Sequence, residues 1–468
     1  MTRSRHALVR SAVLSVLCGA GTSLAWSQAA TTPAPEGVLV RPWGTPTKIE
    51  GSWEGTYERR NNFDLRQDRA RDRRDREQEV KLRATSDVTP SVQVRLEAVG
   101  LHETTARQGS DTTRSSTLGR GETWVRWTEK PGSPLSVQVG RISLSERRAW
   151  WWDEDLDAVR VRWDDRSWDL DAGWGREVAR VYRNQSGIDP VQRGVSRFFG
   201  QGTWRYADRH SLDGFWLLAR DGSGVQRGSI ANEDALDPSD LRARWLGVRA
   251  SGEIRHDSDH RMAYWADAAW VRGTEAITAF EEDGEGRFDA GSTRSRKVRG
   301  SALDLGATWT VPVRWTPRIS LGLARGSGGT RNDAVDHRFR QTGLQENRTR
   351  MGGIKRVYRY GQLLQPELSN LQVVSLGAGW RISDDASFEL VWHRLRQMSA
   401  SDQLAGSRLS ADPDGRSRDI GRELDLLLAW RSGKHVELTL GLSRFKPGRA
   451  FSERDAASGL ELGVTLGF

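Results

Sequence analysis

Cysteine is all but missing: the 468 residues include one, Cys18, inside an apolar leading segment. Disulfides and thiolate metal sites are therefore excluded from the body of the protein. Lysine is scarce as well, seven of 71 basic residues, and methionine occurs four times. No stretch reaches the roughly 18 consecutive apolar residues that a membrane helix requires. Hydrophobic residues make up 36% and mean hydropathy is −0.65. That is little apolar material for the two or three soluble domains a chain of this length would form.

What the chain does hold is 49 Gly, 21 Trp, 28% charged residues and a formal charge of +9. Arg3, Arg5 and Arg10 precede a small and apolar run from Ala12 to Ala25. Residues 1–29 read as a secretory signal cleaved after Ala25 or Ala29. Cys18 follows Ser15-Val16-Leu17 rather than a lipid-attachment sequence and leaves with the signal. Residues 30–46, with Pro33, Pro35 and Pro42, read as a flexible mature terminus. An exported chain without a membrane helix is either soluble or a β-barrel, and export makes nucleic acid a poor partner.

Alternation decides between them. Leu460, Leu462, Val464, Leu466 and Phe468 share one face of a closing strand, opposed by Glu461, Gly463, Thr465 and Gly467, because side chains in a strand alternate with period two. The same pattern recurs at 92–98, 159–164, 168–175, 303–309, 423–430 and 436–443. The polar face is ionisable, which a water-filled lumen tolerates and a packed core does not. From residue 47 the count is about eighteen strands. The expected fold is all-β, a single transmembrane antiparallel up-and-down barrel over 47–468 with long outer loops and short periplasmic turns. Short connections fall at Thr89-Pro90, Lys130-Pro131-Gly132, Asp164-Asp165-Arg166, Ser383-Asp384-Asp385 and Ser432-Gly433-Lys434. Long ones fall near 64–75, 176–199, 220–241, 273–298, 325–370 and 397–419. The inner face of the closing strand looks quiet, which places the important charges on earlier strands and inserted loops.

Three consecutive Trp followed by four acids, Trp150-Trp151-Trp152-Asp153-Glu154-Asp155-Leu156-Asp157-Ala158-Val159-Arg160, stand apart. They read either as interfacial anchors with solvated acids or as a loop at the mouth or folded into the barrel, its acids partnering lumen arginines. With Leu323-Ala324-Arg325-Gly326-Ser327-Gly328, Phe339-Arg340-Gln341-Thr342-Gly343-Leu344-Gln345, Glu367-Leu368-Ser369-Asn370-Leu371, His393-Arg394-Leu395-Arg396-Gln397, Glu423-Leu424-Asp425-Leu426 and Phe445-Lys446-Pro447-Gly448, this segment resembles the alginate export family of outer-membrane porins. The likeness runs in order from about residue 120 to the end.

That resemblance implies an eighteen-stranded monomeric barrel passing a linear polyuronate through a positively charged constriction, with no cofactor, no metal and no catalytic residue. It implies Arg340, Arg348 and Arg350 on the substrate path, Asp153, Glu154 and Asp157 as their partners, and Arg160 and Arg162 on the lumen face beside them. Guanidinium groups suit exchangeable bidentate contacts with successive carboxylates. Arg141 matches a family position too, but parity puts it with Leu135, Val137 and Val139 on the lipid face unless the strand ends or bulges first. Further partners implied are outer-membrane lipid, lipopolysaccharide and a periplasmic helical-repeat lipoprotein of a secretion complex. The chain departs from the family in its tight turn at 431–435, where members can carry an extended gate, and in Thr439 and Gly441, where lumen arginines can stand.

Two other functions compete. A general or small-solute anion porin shares the Arg-lined conductance. An outer-membrane hydrolase needs a Ser-His pair or a metal, and His102, His210, His337, His393 and His435 have no nearby Ser or acid phrase suggesting a triad. His256-Asp257-Ser258-Asp259-His260 reads as a solvated periplasmic turn before a metal cluster.

Overall fold

The computed structural model describes residues 37–69, 72–224, 229–230, 236–256, 260–283, 287–329 and 334–468; the signal segment and the centre of the His256–His260 phrase lie outside them. Eighteen antiparallel strands form one closed barrel among the described residues. The first half comprises β1 (Thr47–Asn61), β2 (Arg73–Thr89), β3 (Val92–Arg107), β4 in two pieces (Thr113–Arg120 and Thr123–Thr128), β5 (Leu135–Ser145) and β6 (Asp153–Asp164). There follow β7 (Trp168–Gly175), β8 (Ser196–Ala207), β9 (His210–Arg220), β10 (Ser239–His256), β11 (His260–Glu282) and β12 (Phe288–Thr310). The last six are β13 (Arg318–Gly326), β14 (Leu371–Ser383), β15 (Ala386–Gln397), β16 (Asp419–Ser432), β17 (Val436–Pro447) and β18 (Ala457–Gly467). Each pairs with the next, and β18 closes on β1 from Ser52↔Gly467 to Asn61↔Ser458. Closure leaves no unpaired edge in the lipid, where backbone groups find no water.

The wall follows the alternation. In β9, Leu212, Trp216 and Leu218 are exposed to the outside, whereas Asp213, Phe215 and Leu217 between them are buried inside. Outward Trp127, Trp163, Trp168, Trp204, Trp309 and Trp430 cluster near the short-turn end, the level at which indole favours the membrane interface. Trp168 stacks on Trp204 at 5.8 Å.

Two readings are corrected by pairing. Residues 273–298, read as a loop, are largely sheet: β11 and β12 run 23 residues each and stay in register from Gly273↔Val298 to Thr278↔Thr293. Above the lipid both faces are wet, so the apolar alternation stops although the ladder continues. Within the segment read as flexible, Val38–Val40 pair with Thr47–Ile49 and Pro42–Gly44 form a 3-10 turn.

The buried apolar cluster sits inside the barrel. It joins Trp150, Trp151, Trp152, Phe339, Leu344, Tyr360, Leu363, Leu364 and Leu368 to inward residues of the wall. Two connections, 146–152 and 334–370, bring these nine side chains into the lumen.

Candidate functional site

The first insertion begins at Gly140. Its φ is +131° and a Cβ there would come within 2.2 Å of Thr123 O, a conformation and a fit that only glycine tolerates. Register is unbroken through it, Val139↔Val159 to Arg141↔Asp157, so the β5–β6 hairpin bends inward without slipping. Beyond the bend Ile142, Leu144 and Leu156 are buried. At the tip Trp151 stacks on Phe215 at 5.0 Å and Trp150 on Phe339 at 6.3 Å. Gly247 opposite has no room for a Cβ, which would lie 1.9 Å from the Trp151 ring.

Glu146 organises this tip. Its carboxylate accepts the backbone N–H groups of Arg148, Trp150 and Trp151 at 2.8, 2.6 and 3.1 Å and the guanidinium of Arg249 at 2.5 Å. Burial alone would push the carboxyl up, but Arg249 and these amides outweigh it and hold Glu146 at about 2. Arg148 lies between Asp267 (3.2 Å) and Asp304 (3.1 Å), 4.2 Å from the Trp265 ring centroid. Arg359 reaches Asp304 at 3.1 Å, and Tyr360, which accepts from Trp150 Nε1 at 2.8 Å, donates to the same carboxylate at 2.9 Å. Burial and the Asp304 charge keep the Tyr360 hydroxyl protonated far above its ordinary range. Three guanidinium groups meet three carboxylates in this hub, so it is neutral and its cations are committed to structure.

The second insertion, 334–370, crosses the lumen and is tied to the opposite wall by its backbone. Gly353 N donates to Glu389 (3.1 Å), Ile354 N to Ser387 (3.0 Å), Gln362 N to Asp425 (3.2 Å), and Leu363 N and Leu364 N to Glu423 (2.5 and 3.2 Å). Lys355 Nζ and Gln362 Nε2 reach Glu461 at 2.6 and 2.9 Å. Glu461, read as part of a quiet face, is thus an anchor. The Glu423-Leu424-Asp425 phrase owes its two inward acids to the same task.

The eight expected path residues divide. Arg340 pairs with Glu275 (3.0 Å) and Asp336 (2.7 Å). Arg348 lies 5.0 Å from the Tyr358 ring centroid, and Arg350 Nε donates to Ile354 O at 2.9 Å. Arg160 pairs with Asp171, and Arg162 with Asp169 at 2.8 Å. The acids partner other arginines than expected: Asp153 holds Arg356 at 2.6 Å, while Asp157 holds Arg120. Glu154 has no ion pair among the described residues. The reason is the bend at Gly140. Asp157 and Arg141 keep their outward parity, but the face they share is covered by residues 176–183, where Glu177 reaches Arg141 at 3.0 Å and Tyr182 bridges to Gly119.

A second cationic group escaped the sequence reading. Arg95 and Arg126 flank Trp124, 4.9 and 5.3 Å from its ring centroid, on the same inner wall as Arg160 and Arg162. Arg95 is neutralised by Glu122 at 2.5 Å. Arg126 donates to Gln93 Oε1 at 2.5 Å and has no carboxylate partner among the described residues. The signal was present in Trp124-Val125-Arg126-Trp127, whose outward Val125 and Trp127 place Arg126 inside.

The model of the family described as alginate export matches residues 46–465. The alginate production protein AlgE of Pseudomonas aeruginosa is 29% identical over 356 residues, covering 72% of this chain and 71% of the relative. AlgE of Pseudomonas syringae pv. tomato is 24% identical over 367 residues, covering 73% and 69%. Among solved structures, the outer membrane protein OprD from Pseudomonas aeruginosa aligns over 90% of this chain and 94% of its own, with a TM-score of 0.54 and 10% identity. That likeness carries the barrel fold and, with the relatives, the outer membrane as location.

Proposed function

The chain belongs to the alginate export family, and from that premise we propose that it is an outer-membrane channel exporting an anionic polysaccharide, alginate or a related polyuronate. The carrying observation is the inward group Arg95, Arg126, Arg160 and Arg162 around Trp124, in which Arg126 has no counter-carboxylate among the described residues. A uronate carboxylate passing Arg126 replaces only a neutral Gln93 contact. At Arg160 and Arg162 it competes with Asp171 and Asp169. Several weak, exchangeable sites suit a moving polymer better than one tight site. Arg340, Arg348 and Arg350 belong to the same proposal as the cations of the inserted segment, with Asp153, Glu154 and Asp157 setting their local balance. The barrel is taken to work as a monomer, without cofactor, after loss of residues 1–29, beside a periplasmic helical-repeat lipoprotein.

A hydrolase has one observation in its favour. The β14–β16 register sets Ser375 opposite His393, with Ser375 Oγ 2.8 Å from His393 Nδ1 and His393 Nε2 3.4 Å from Asp425. This pairing was invisible along the chain. Ser375, His393 and Asp425 are only 9%, 1% and 1% exposed, beneath residues 361–364. A substrate cannot reach them there, so the export reading stands.

Planar bilayers test it. Purified protein is expected to be anion-selective and blocked by oligomeric uronate, and Arg126→Gln with Arg162→Gln to weaken that block by about tenfold or more, the worth of one or two charge-assisted contacts. Cation selectivity, or indifference to uronate, refutes the proposal. Equal block by small anions at equal charge concentration favours the small-solute porin.

A further inference from the structure

On the outside of the barrel, Arg244 of β10, Arg272 of β11 and Arg299 of β12 are direct cross-strand partners and all exposed. Like charges directly opposite one another destabilise a sheet. One step higher on the same face, Arg242 lies opposite Arg220 of β9, and Lys297 completes the next row opposite Thr274. None of the six cations has an ion-pair partner among the described residues. The nearest carboxylate along that face, Asp240, accepts from Ser223 Oγ at 2.8 Å and Gly224 N at 3.2 Å. Two residues below the arginine row the same face carries Leu246 and Trp270, exposed at 58% and 50% as lipid-facing side chains are. At about 3.4 Å per residue the guanidinium groups therefore stand roughly 7 Å beyond the apolar band, at headgroup height on the long-loop side.

We propose that Arg244, Arg272 and Arg299, with Arg220, Arg242 and Lys297 behind them, form a binding site for the lipid A phosphates of lipopolysaccharide in the outer leaflet. A phosphate accepts several bidentate guanidinium contacts at once, and it supplies the counter-charge that the sheet itself lacks. The exported polyanion is a poorer occupant, since this face lies outside the barrel and directly against lipid.

The full-length barrel is purified from outer membranes and reconstituted either in lipopolysaccharide or in the same material stripped of its lipid A phosphates. Expected are a higher melting temperature in the phosphorylated form and tightly retained lipopolysaccharide. The triple variant Arg244→Gln, Arg272→Gln, Arg299→Gln loses both, with retention falling by at least about tenfold. Equal melting in the two lipids, unchanged retention by the variant, or displacement of lipopolysaccharide by soluble oligouronate overturns the proposal. If the variant does not assemble, the contrast between the two lipids for the unaltered protein decides.

Discussion

Replacing Glu146 by Gln removes the charge around which the tryptophan tip is organised. In the folded barrel this carboxyl sits at about 2 against an ordinary value of 4.5, a difference worth about 3 kcal/mol at one pKa unit per 1.36 kcal/mol. The group is depressed on folding, so its contribution is complete above about pH 4.5 and fades as pH falls toward 2. At neutral pH the variant is expected to lose about 3 kcal/mol of tip stability, because the Arg249 guanidinium and the amides of Arg148, Trp150 and Trp151 no longer face a full charge. Amide hydrogen exchange reads this directly: protection of residues 148–151 should drop by roughly a hundredfold. The difference from the unaltered protein should shrink steadily below pH 4.5. Unchanged protection at neutral pH, or a difference that grows on acidification, refutes the account of Glu146 as the organiser of the tip.

Two further substitutions test the insertions. Gly140→Ala places a Cβ within 2.2 Å of Thr123 O at a φ of +131° and is expected to cost about 1–3 kcal/mol, exposing Trp150–Trp152 to a collisional fluorescence quencher; unchanged quenching argues against Gly140 as the bend. Glu423→Ala strips the acceptor from Leu363 N and Leu364 N, about 1–3 kcal/mol for each orphaned donor. It should increase proteolytic cutting within 355–368 and noise in single-channel current, and a quiet, resistant variant shows that the anchor lies elsewhere.

The wall was legible because its rule is local: lipid outside and water inside impress a two-residue period, and the count of about eighteen agrees with the barrel found. The same rule failed over 273–298, where strands leave the lipid and lose the apolar signal while keeping their ladder. The interior was legible only as unusual residues. Trp150 and its partner Tyr360 lie 210 positions apart, and Ser375 meets His393 through register rather than proximity along the chain. Parity put Arg141 on the lipid face, whereas it is buried against Glu177 and Asp157, because no local pattern announces that Gly140 turns its strand so that this face lies beneath residues 176–183.

The neutral hub also sets an order of events. Its members come from residues 146–148, 249, 267, 304 and 359–360, so nothing can be locked until more than three quarters of the chain is in hand. The ring itself shuts where Ala457–Gly467 meets Thr47–Asn61. A ring that closes this seam around the docked insertions holds its own stopper, and one that closes without them is left as a leak across the membrane.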